Sequence, residues 1–361
     1  MGLSGGIIGL PNAGKSTLFN ALTNAGVQVA DFPFCTVSPN VGMIPVPDPR
    51  LDKLAALIHP QRVTPATIEI VDVAGLIKGA HKGEGLGNEF LSRIRGVDVL
   101  IEVVRCFEED IPHPEGSIDP VRDMEIIKLE LFLSDLQIID RRLTRLNKLL
   151  KSGVKKDERY TRVLLKIKEA LEKGISPVNS LSSEEYQLVK DDGFLSLKPV
   201  IYVANTQEDV DSSTLVEKFR EFVQREGLQG IEMCAQLEME LSELPVGEQQ
   251  KFLEEMEIKE RAINRLINEV FKKLNLITFF TLTGGKEVRA WAIEKGTSAV
   301  DAAGKVHSDM KRGFIRAEVI SAEELIEIGS LKRARSEGKV KLEGKDYKVK
   351  DGDVIHFYFA V

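Results

Sequence analysis

The sequence predicts an α/β fold: a mostly parallel sheet with helices on both faces, an inserted helical hairpin, and a compact α+β module at the C-terminal end. Three observations carry this. β-branched apolar runs alternate with helical stretches in two blocks, before residue 118 and from 198 onward. A heptad-like repeat separates the blocks. The last 80 or so residues return to strand-like alternation with Gly-Gly and Asp-Gly turns. Alternating strands and helices are the pattern of a doubly covered parallel sheet.

Taken in order, "GGIIGL" (5–10), "TIEIVDV" (67–73), "VDVLIEVVRC" (97–106), "KPVIYVAN" (198–205) and "GIEMCAQ" (230–236) read as buried strands. Lys15–Ala25 reads as the first helix. Asp119 and Pro120 form a helix start, a cap followed by proline at the first turn. Leu129, Phe132, Leu136, Ile139, Leu143, Leu146 and Leu150 then recur at spacings of three and four, a coiled-coil seam. "KSGVKK" (151–156) breaks it, and helical periodicity resumes from Arg159. Residues 119–192 are therefore expected to form an antiparallel helical hairpin; a pair of ordinary core helices is the alternative. One long helix is expected over 251–276. The domains expected are 1–278 with the insertion 119–192 inside it, then 279–361.

Composition narrows the classes. The 361 residues suit two or three domains, and 43% hydrophobic with 29% charged is ordinary for a globular protein. No apolar run approaches the roughly 18 residues that a membrane span needs, and the N-terminus lacks the features of a secretory signal. Cys35, Cys106 and Cys234 lie far apart without a C-x-x-C pair, which speaks against zinc or a disulfide framework and for the cytoplasm. A net charge of −7 speaks against general nucleic-acid coating, and nothing points to sequence-specific DNA recognition. The charge is uneven: residues 141–173 hold twelve Lys/Arg against four Asp/Glu. Such an arm suits a polyanion such as ribosomal RNA, the alternative being a solvated helix face.

The chemistry begins at "GLPNAGKST" (9–17), which fits G-x-x-x-x-G-K-[ST] through Gly9, Gly14, Lys15 and Ser16. Glycines let backbone N–H groups turn inward around phosphate oxygens, and the helix that follows points its positive dipole end at them. Asn12, Ala13, Gly14, Lys15, Ser16 and Thr17 are the nucleotide-loop candidates, with Lys15 placed for the β- and γ-phosphates and Ser16 for Mg²⁺. This is a P-loop NTPase signature in its expected strand–loop–helix setting. Asp72 in "DVAG" (72–75) is placed to hold a water on Mg²⁺, and Gly75 to donate its N–H to the γ-phosphate. Thr36 is the candidate second hydroxyl on the metal.

Leu76 stands where switch GTPases commonly have a water-orienting Gln. Compensation is sought in three residues. Asn12 is a candidate to lend its carbonyl to K⁺ beside the phosphates, or else merely bonds its own loop. His113 is the candidate to orient water, with His81 as a rival and an exposed loop histidine as the bland alternative.

The base reader is "NTQE" (205–208), where a guanine-binding protein would carry N-K-x-D. Thr206 lacks the lysine stem, and Glu208 is one methylene longer than Asp. The Asn205 amide can donate to adenine N7 and accept from its N6 amino group, a contact that discriminates by about 1–3 kcal/mol. Ala235 in "CAQ" is expected to keep the shape of the loop that closes over the base.

Together "GLPNAGKST", "PFCT", "DVAGL", "GEGLGNEFL", "RCFE", "NTQE" and "GKDYKVKDGDVIHFYF" resemble the Obg-like ATPase (YchF-type) family along essentially the whole chain. The resemblance implies an Obg-type nucleotide domain, a coiled-coil arm and a C-terminal TGS domain of β-grasp shape. It implies preference for ATP over GTP, slow hydrolysis and association with ribosomes. It places the nucleotide loop on Asn12–Thr17, the Mg²⁺ hydroxyls on Ser16 and Thr36, and the base reader on Asn205, Thr206 and Glu208. The expected function is a ribosome-associated ATP switch. A GTPase of the wider Obg class and a nucleotide-gated binding module stand as alternatives.

Overall fold

The computed structural model describes residues 4–27, 40–73, 86–151, 158–208 and 214–360. Thr36, Gly75, Leu76 and His81 lie outside the described residues.

The first block builds β1 (Ser4–Ile8), α1 (Lys15–Val27), β2 (Val41–Pro45), α2 (Pro49–Ile58), β3 (Arg62–Thr64), β4 (Thr67–Asp72), α3 (Leu86–Arg95) and β5 (Val99–Arg105). After the insertion come β6 (Val200–Asn205), α7 (Thr214–Arg225), β7 (Gly230–Met233) and α8 (Ala235–Glu243). All of these strands except β3 form one sheet in the order β2-β4-β1-β5-β6-β7. Every pairing is parallel except β2 with β4, so the sheet is parallel with one antiparallel edge. All seven residues of β5 are buried, as a central strand covered on both faces requires. On one face Ile7, Val103 and Val203 pack with Leu18 and Leu22 of α1. On the other, Ile8 and Leu100 pack with Leu91 and Ile94 of α3.

The insertion consists of α4 (Pro120–Lys151), α5 (Glu158–Glu172) and α6 (Ser183–Val189). Asp119 caps α4, accepting from the N–H groups of Val121 and Arg122 at 3.1 Å. The root of α4 belongs to the sheet domain, where Met124, Ile127 and Leu131 join its cores. Farther out, Phe132, Leu136, Ile139, Leu143 and Leu146 meet Leu164, Ile167 and Leu171 of α5 in a separate cluster. The expected seam is shorter than its sequence repeat: Leu129 is 55% exposed, because the helix is there turning its apolar stripe from the sheet to α5. Leu150 has no described side chain.

The expected single helix over 251–276 is two, α9 (Val246–Glu255) and α10 (Ala262–Lys273). Glu257 takes a left-handed conformation at φ 54°. The break is held by buried Glu238, which accepts from Arg261 Nε at 2.9 Å and from the Ile263 N–H at 3.2 Å, capping the second helix from outside. Periodicity alone cannot see such a tertiary cap.

The C-terminal module contains β8 (Leu276–Thr283), β9 (Glu287–Glu294), α11 (Ala299–Val306), α12 (Ser308–Arg312), β10 (Phe314–Ser321), α13 (Ala322–Ile328), α14 (Leu331–Ser336), β11 (Lys341–Glu343) and β12 (Asp353–Phe359). Its sheet runs β11-β10-β12-β8-β9-β3. The first and last long strands, β8 and β12, pair in parallel at the centre, as a β-grasp requires. Ala299, Ala302 and Ala303 of α11 pack on Phe279 and Phe357. The sheet begins at Leu276, three residues before the expected boundary. It also takes β3 from the first block, through register 62–64 against 287–289. One core continues from Leu51 and Leu54 of α2 through Phe280, Ile320 and Val354, fastening the module to the nucleotide domain.

Candidate functional site

In an open parallel sheet, ligands bind at the carboxyl ends of the strands, where the strand order switches direction. Here the switch lies at β1, between β4 and β5. The loops after β1, β5, β6 and β7, and Asp72 at the end of β4, all lie on that edge.

The phosphate loop follows β1. Gly9 has φ 154°, and a Cβ there would lie 2.5 Å from the Val103 carbonyl oxygen. Gly14 has φ 92°, and its Cβ would meet Asn205 Nδ2 at 2.1 Å. Asn12 adopts φ 64°, which asparagine tolerates better than most residues. The Lys15 side chain is buried, its Nζ donating to the Leu10 carbonyl at 2.7 Å. Burial lowers its pKa to about 8, partly offset by the charge of Asp72. Ser16 Oγ donates to Asp72 Oδ2 at 3.3 Å, so the two expected metal-site residues meet. Asp72 Oδ1 is buried with no partner among the described residues, and burial raises the carboxyl pKa. An orphaned hard oxygen beside a hydroxyl is a donor set suited to Mg²⁺, an ion that keeps several waters and takes few protein ligands.

The base end of the edge is a cleft of ≈ 640 Å³ lined by Gly14, Thr17, Phe107, Ile111, Thr206, Glu208, Cys234 and Gln236 among others. Asn205 sits at its floor, 5% exposed. Its Nδ2 donates to the Ala13 carbonyl at 3.0 Å, and its Oδ1 accepts from the Ala235 N–H at 3.0 Å. Asn205 thus has a structural role beside its expected one as a reader of adenine. The amide ties the phosphate loop to the 234–236 loop and keeps one N–H and one oxygen lone pair for a ligand. Thr206 is buried, and its Oγ1 has no partner among the described residues. Glu208 is exposed.

Two other expectations also change. Asn12 Nδ2 donates to the Pro112 carbonyl at 2.9 Å, so its partner is the loop after β5 and not its own loop. His113 does not face an open water site. Its ring is 4% exposed, with Nε2 2.8 Å from Asp123 Oδ2 and Nδ1 accepting from the Glu115 N–H at 3.2 Å. Both nitrogens are occupied in this arrangement, so the proposed role in positioning water requires the His113–Asp123 contact to open.

The arm is less basic than its sequence count. Arg142, Arg159, Lys166, Lys168 and Lys173 are ion-paired with Asp192, Glu184, Glu185, Asp140 and Glu169. Arg141, Arg145 and Lys148 form an exposed stripe on α4, at spacings of four and three.

Comparison with known proteins follows this geometry. Residues 4–164 match the family model described as 50S ribosome-binding GTPase. Residues 276–360 match the C-terminal model of the YchF GTPases, described as a protein of unknown function. The chain is 48% identical over 368 residues to the ribosome-binding ATPase YchF of Bacillus subtilis (strain 168), with 100% of each covered. This chain belongs to the YchF family. The Haemophilus influenzae YchF, also named a ribosome-binding ATPase, is 48% identical over 364 residues, again with 100% of each covered. The solved Schizosaccharomyces pombe YchF GTPase superposes with a TM-score of 0.88 at 32% identity, covering 99% of this chain and 98% of that one.

In this YchF chain, sequence reasoning named only His113 in the loop after β5 and missed the rest of its contribution. Arg105, fully buried, donates to the carbonyls of Phe107, Glu109 and Ile111 at 3.0–3.2 Å and lies over the Phe107 ring. Gln207 Nε2 donates to the Glu108 carbonyl at 2.7 Å. The available signal was an arginine ending a wholly buried strand, apolar but for Glu102, beside the switch point.

Proposed function

We propose that this protein is a cytoplasmic nucleotide switch that binds ATP in preference to GTP, hydrolyses it slowly to ADP and phosphate, and associates with the ribosome. One observation carries the hydrolase reading: a phosphate loop with buried Lys15 stands beside the Ser16–Asp72 contact at the sheet's switch point. The relatives' names support it. The bacterial ones are ribosome-binding ATPases and the fission-yeast protein is a GTPase, so the base needs its own test.

The loop's backbone N–H groups and the start of α1 orient the phosphates. Lys15 turns from the Leu10 carbonyl to the β- and γ-phosphates, whose negative charge keeps it protonated in its buried position. Ser16 and, through water, Asp72 would hold Mg²⁺, with Thr36 as the proposed second hydroxyl and Gly75 as the proposed γ-phosphate donor. Bound Mg²⁺ neutralises charge on the phosphates. Asn12 keeps its carbonyl oxygen for the proposed K⁺, because its amide nitrogen is spent on Pro112. Base choice falls on Thr206 and Glu208. Guanine asks for an Asp carboxylate and a lysine stem over its ring; here the carboxylate is that of the longer Glu208, Thr206 has no such stem, and its orphaned hydroxyl offers a polar contact instead. With Leu76 after "DVAG" and His113 engaged, unassisted turnover is expected at about 10⁻³–10⁻² s⁻¹.

Lys15→Ala should abolish binding of labelled ATP; intact affinity would refute the site. Competition with unlabelled GTP separates the ATPase from the GTPase reading. The exposed stripe Arg141, Arg145 and Lys148, at the outer half of the arm, favours ribosomal RNA as the contact for α4, with the C-terminal module as a second proposed contact.

A further inference from the structure

The loop between β5 and α4 touches three parts of the molecule at once. Toward the nucleotide, the Pro112 carbonyl accepts from Asn12 of the phosphate loop at 2.9 Å. Toward the base, Phe107 and Ile111 line the cleft, held from behind by Arg105. Toward the arm, His113 meets Asp123 in the first turn of α4 at 2.8 Å. The next residue in the chain after Pro112 is thus the one gripped by the arm.

We propose that Asp123, at the root of the helical arm, is a positioning residue for the phosphate loop, acting through His113, the Pro112 carbonyl and Asn12. This rests on the reading of that loop as the nucleotide site. The chemistry of the chain is specific. His113 Nδ1 accepts from the Glu115 N–H, so Nε2 carries the proton and donates to Asp123 Oδ2. Arg122 takes the other oxygen, donating to Asp123 Oδ1 through Nε at 3.1 Å and Nη2 at 2.8 Å, while also donating to Ser117 Oγ and to the Ser117 carbonyl. The carboxylate is therefore aimed at the ring, and Arg122 pins the far end of the loop. His113 and Asp123 side chains are 4% and 6% exposed, so water offers little competition for the pair.

The setting concentrates this contact. Glu102 lines the same narrow void as His113 and Asp123, beside Leu10, Pro11 and Ala13 of the phosphate loop. Glu102 is fully buried, one of its oxygens has no partner among the described residues, and burial together with the Asp123 charge pushes its pKa well up. Burial and the neighbouring carboxylate thus both favour the protonated form of Glu102 beside the His113–Asp123 contact. On the other side, α4 continues unbroken for 32 residues from the turn that holds Asp123. A force on the outer arm reaches that turn through a continuous hydrogen-bonded helix, and a rearrangement of Asn12 reaches it from the nucleotide. The groups from Asn12 to Asp123 form a contiguous set of hydrogen-bonded and chain-adjacent contacts along which coupling can travel.

The test uses the full chain. Hydrogen exchange of the nucleotide-free protein is followed in peptides covering residues 9–14 and 107–116, and ATP turnover with Mg²⁺ in parallel. Asp123→Ala removes a buried charged acceptor and should lower kcat/KM about tenfold and speed exchange at 9–14 by a similar factor. Asp123→Asn keeps an oxygen that can accept from Nε2–H and should recover part of both effects. If Asp123→Ala does not fold, the smaller acceleration expected in Asp123→Asn decides. Adding Asp123→Ala to Asn12→Ala should cost little beyond Asn12→Ala alone, because the two act in series. Unchanged exchange at 9–14, fold-losses that multiply, or Asn no better than Ala would each overturn the proposal. If the unaltered chain turns over no nucleotide, the functional reading fails, and the exchange data judge the relay by themselves.

Discussion

Replacing Asn205 by alanine separates a brace from a base reader. The side chain makes two 3.0 Å bonds, to the Ala13 carbonyl and from the Ala235 N–H, at a site 5% exposed. Alanine leaves both backbone groups unpaired, and each such group costs about 1–3 kcal/mol when buried. The adjoining cleft admits some water, which puts the stability loss at about 2–4 kcal/mol. If the spare N–H on Nδ2 is the nucleotide contact, it meets N7, an acceptor that both purines present, and its loss weakens both nucleotides together. Calorimetry with ATP and with GTP, each with Mg²⁺, should therefore show both affinities falling while their ratio changes less than about threefold, a difference under 1 kcal/mol. A bidentate adenine contact predicts something else: a loss of about 1–3 kcal/mol confined to ATP. If ATP affinity falls tenfold or more with GTP untouched, the brace reasoning is refuted.

Other outcomes follow from the same structure. Thr206→Val should weaken ATP by roughly 1 kcal/mol, through loss of the orphaned hydroxyl, while leaving stability nearly unchanged; a fluorescent-nucleotide titration beside a thermal melt checks both. Glu102 is protonated in the folded chain up to a pH well above its ordinary carboxyl value. The folded state thus binds more protons than the unfolded one above about pH 4.5, and stability falls as pH rises from there toward the raised pKa. Glu102→Gln should remove that part of the slope, seen in denaturant midpoints at pH 5 and pH 8, and an unchanged slope would contradict it. Charge reversal of Arg141, Arg145 and Lys148 should reduce the slope of log K for ribosome binding against log salt by about 2–3, one unit or slightly less per lost phosphate contact. A slope identical to that of the unaltered chain would remove α4 from the interface.

How far the sequence was readable depends on where each instruction is stored. Strand runs such as Val99–Arg105 and the phosphate loop are local: apolar runs and glycines report them directly, and the structure has the fold class they imply. The same holds for the root of α4, whose Asp119–Pro120 start is visible in two residues. What failed was information held between distant residues. Glu238 interrupts the helix expected over 251–276, from a position 25 residues before Ile263. The acids paired with five of the arm's twelve basic residues sit mostly on α6 and the turn after it, outside residues 141–173.

The nucleotide site shows the same division at atomic scale. Residue type at 205 is legible, and an asparagine there is compatible with a reader or a brace. The difference lies in whether the amide's donors and acceptors are already taken, by Ala13, 192 residues away, and by Ala235, 30 away. His113 is the parallel case: a histidine near the phosphates suggests water chemistry, until Asp123 and the Glu115 N–H are found on its two nitrogens. An amide or imidazole has few bonding positions, and in a buried site the protein tends to fill them first. Among the described residues, the polar atoms without a partner at this edge of the sheet include Asp72 Oδ1, at the metal end, and Thr206 Oγ1, at the base cleft. A ligand with hard phosphate-bound cation chemistry at one end and a polar ring edge at the other satisfies both, and that complementarity ties the unsatisfied atoms of this chain to a purine nucleoside triphosphate.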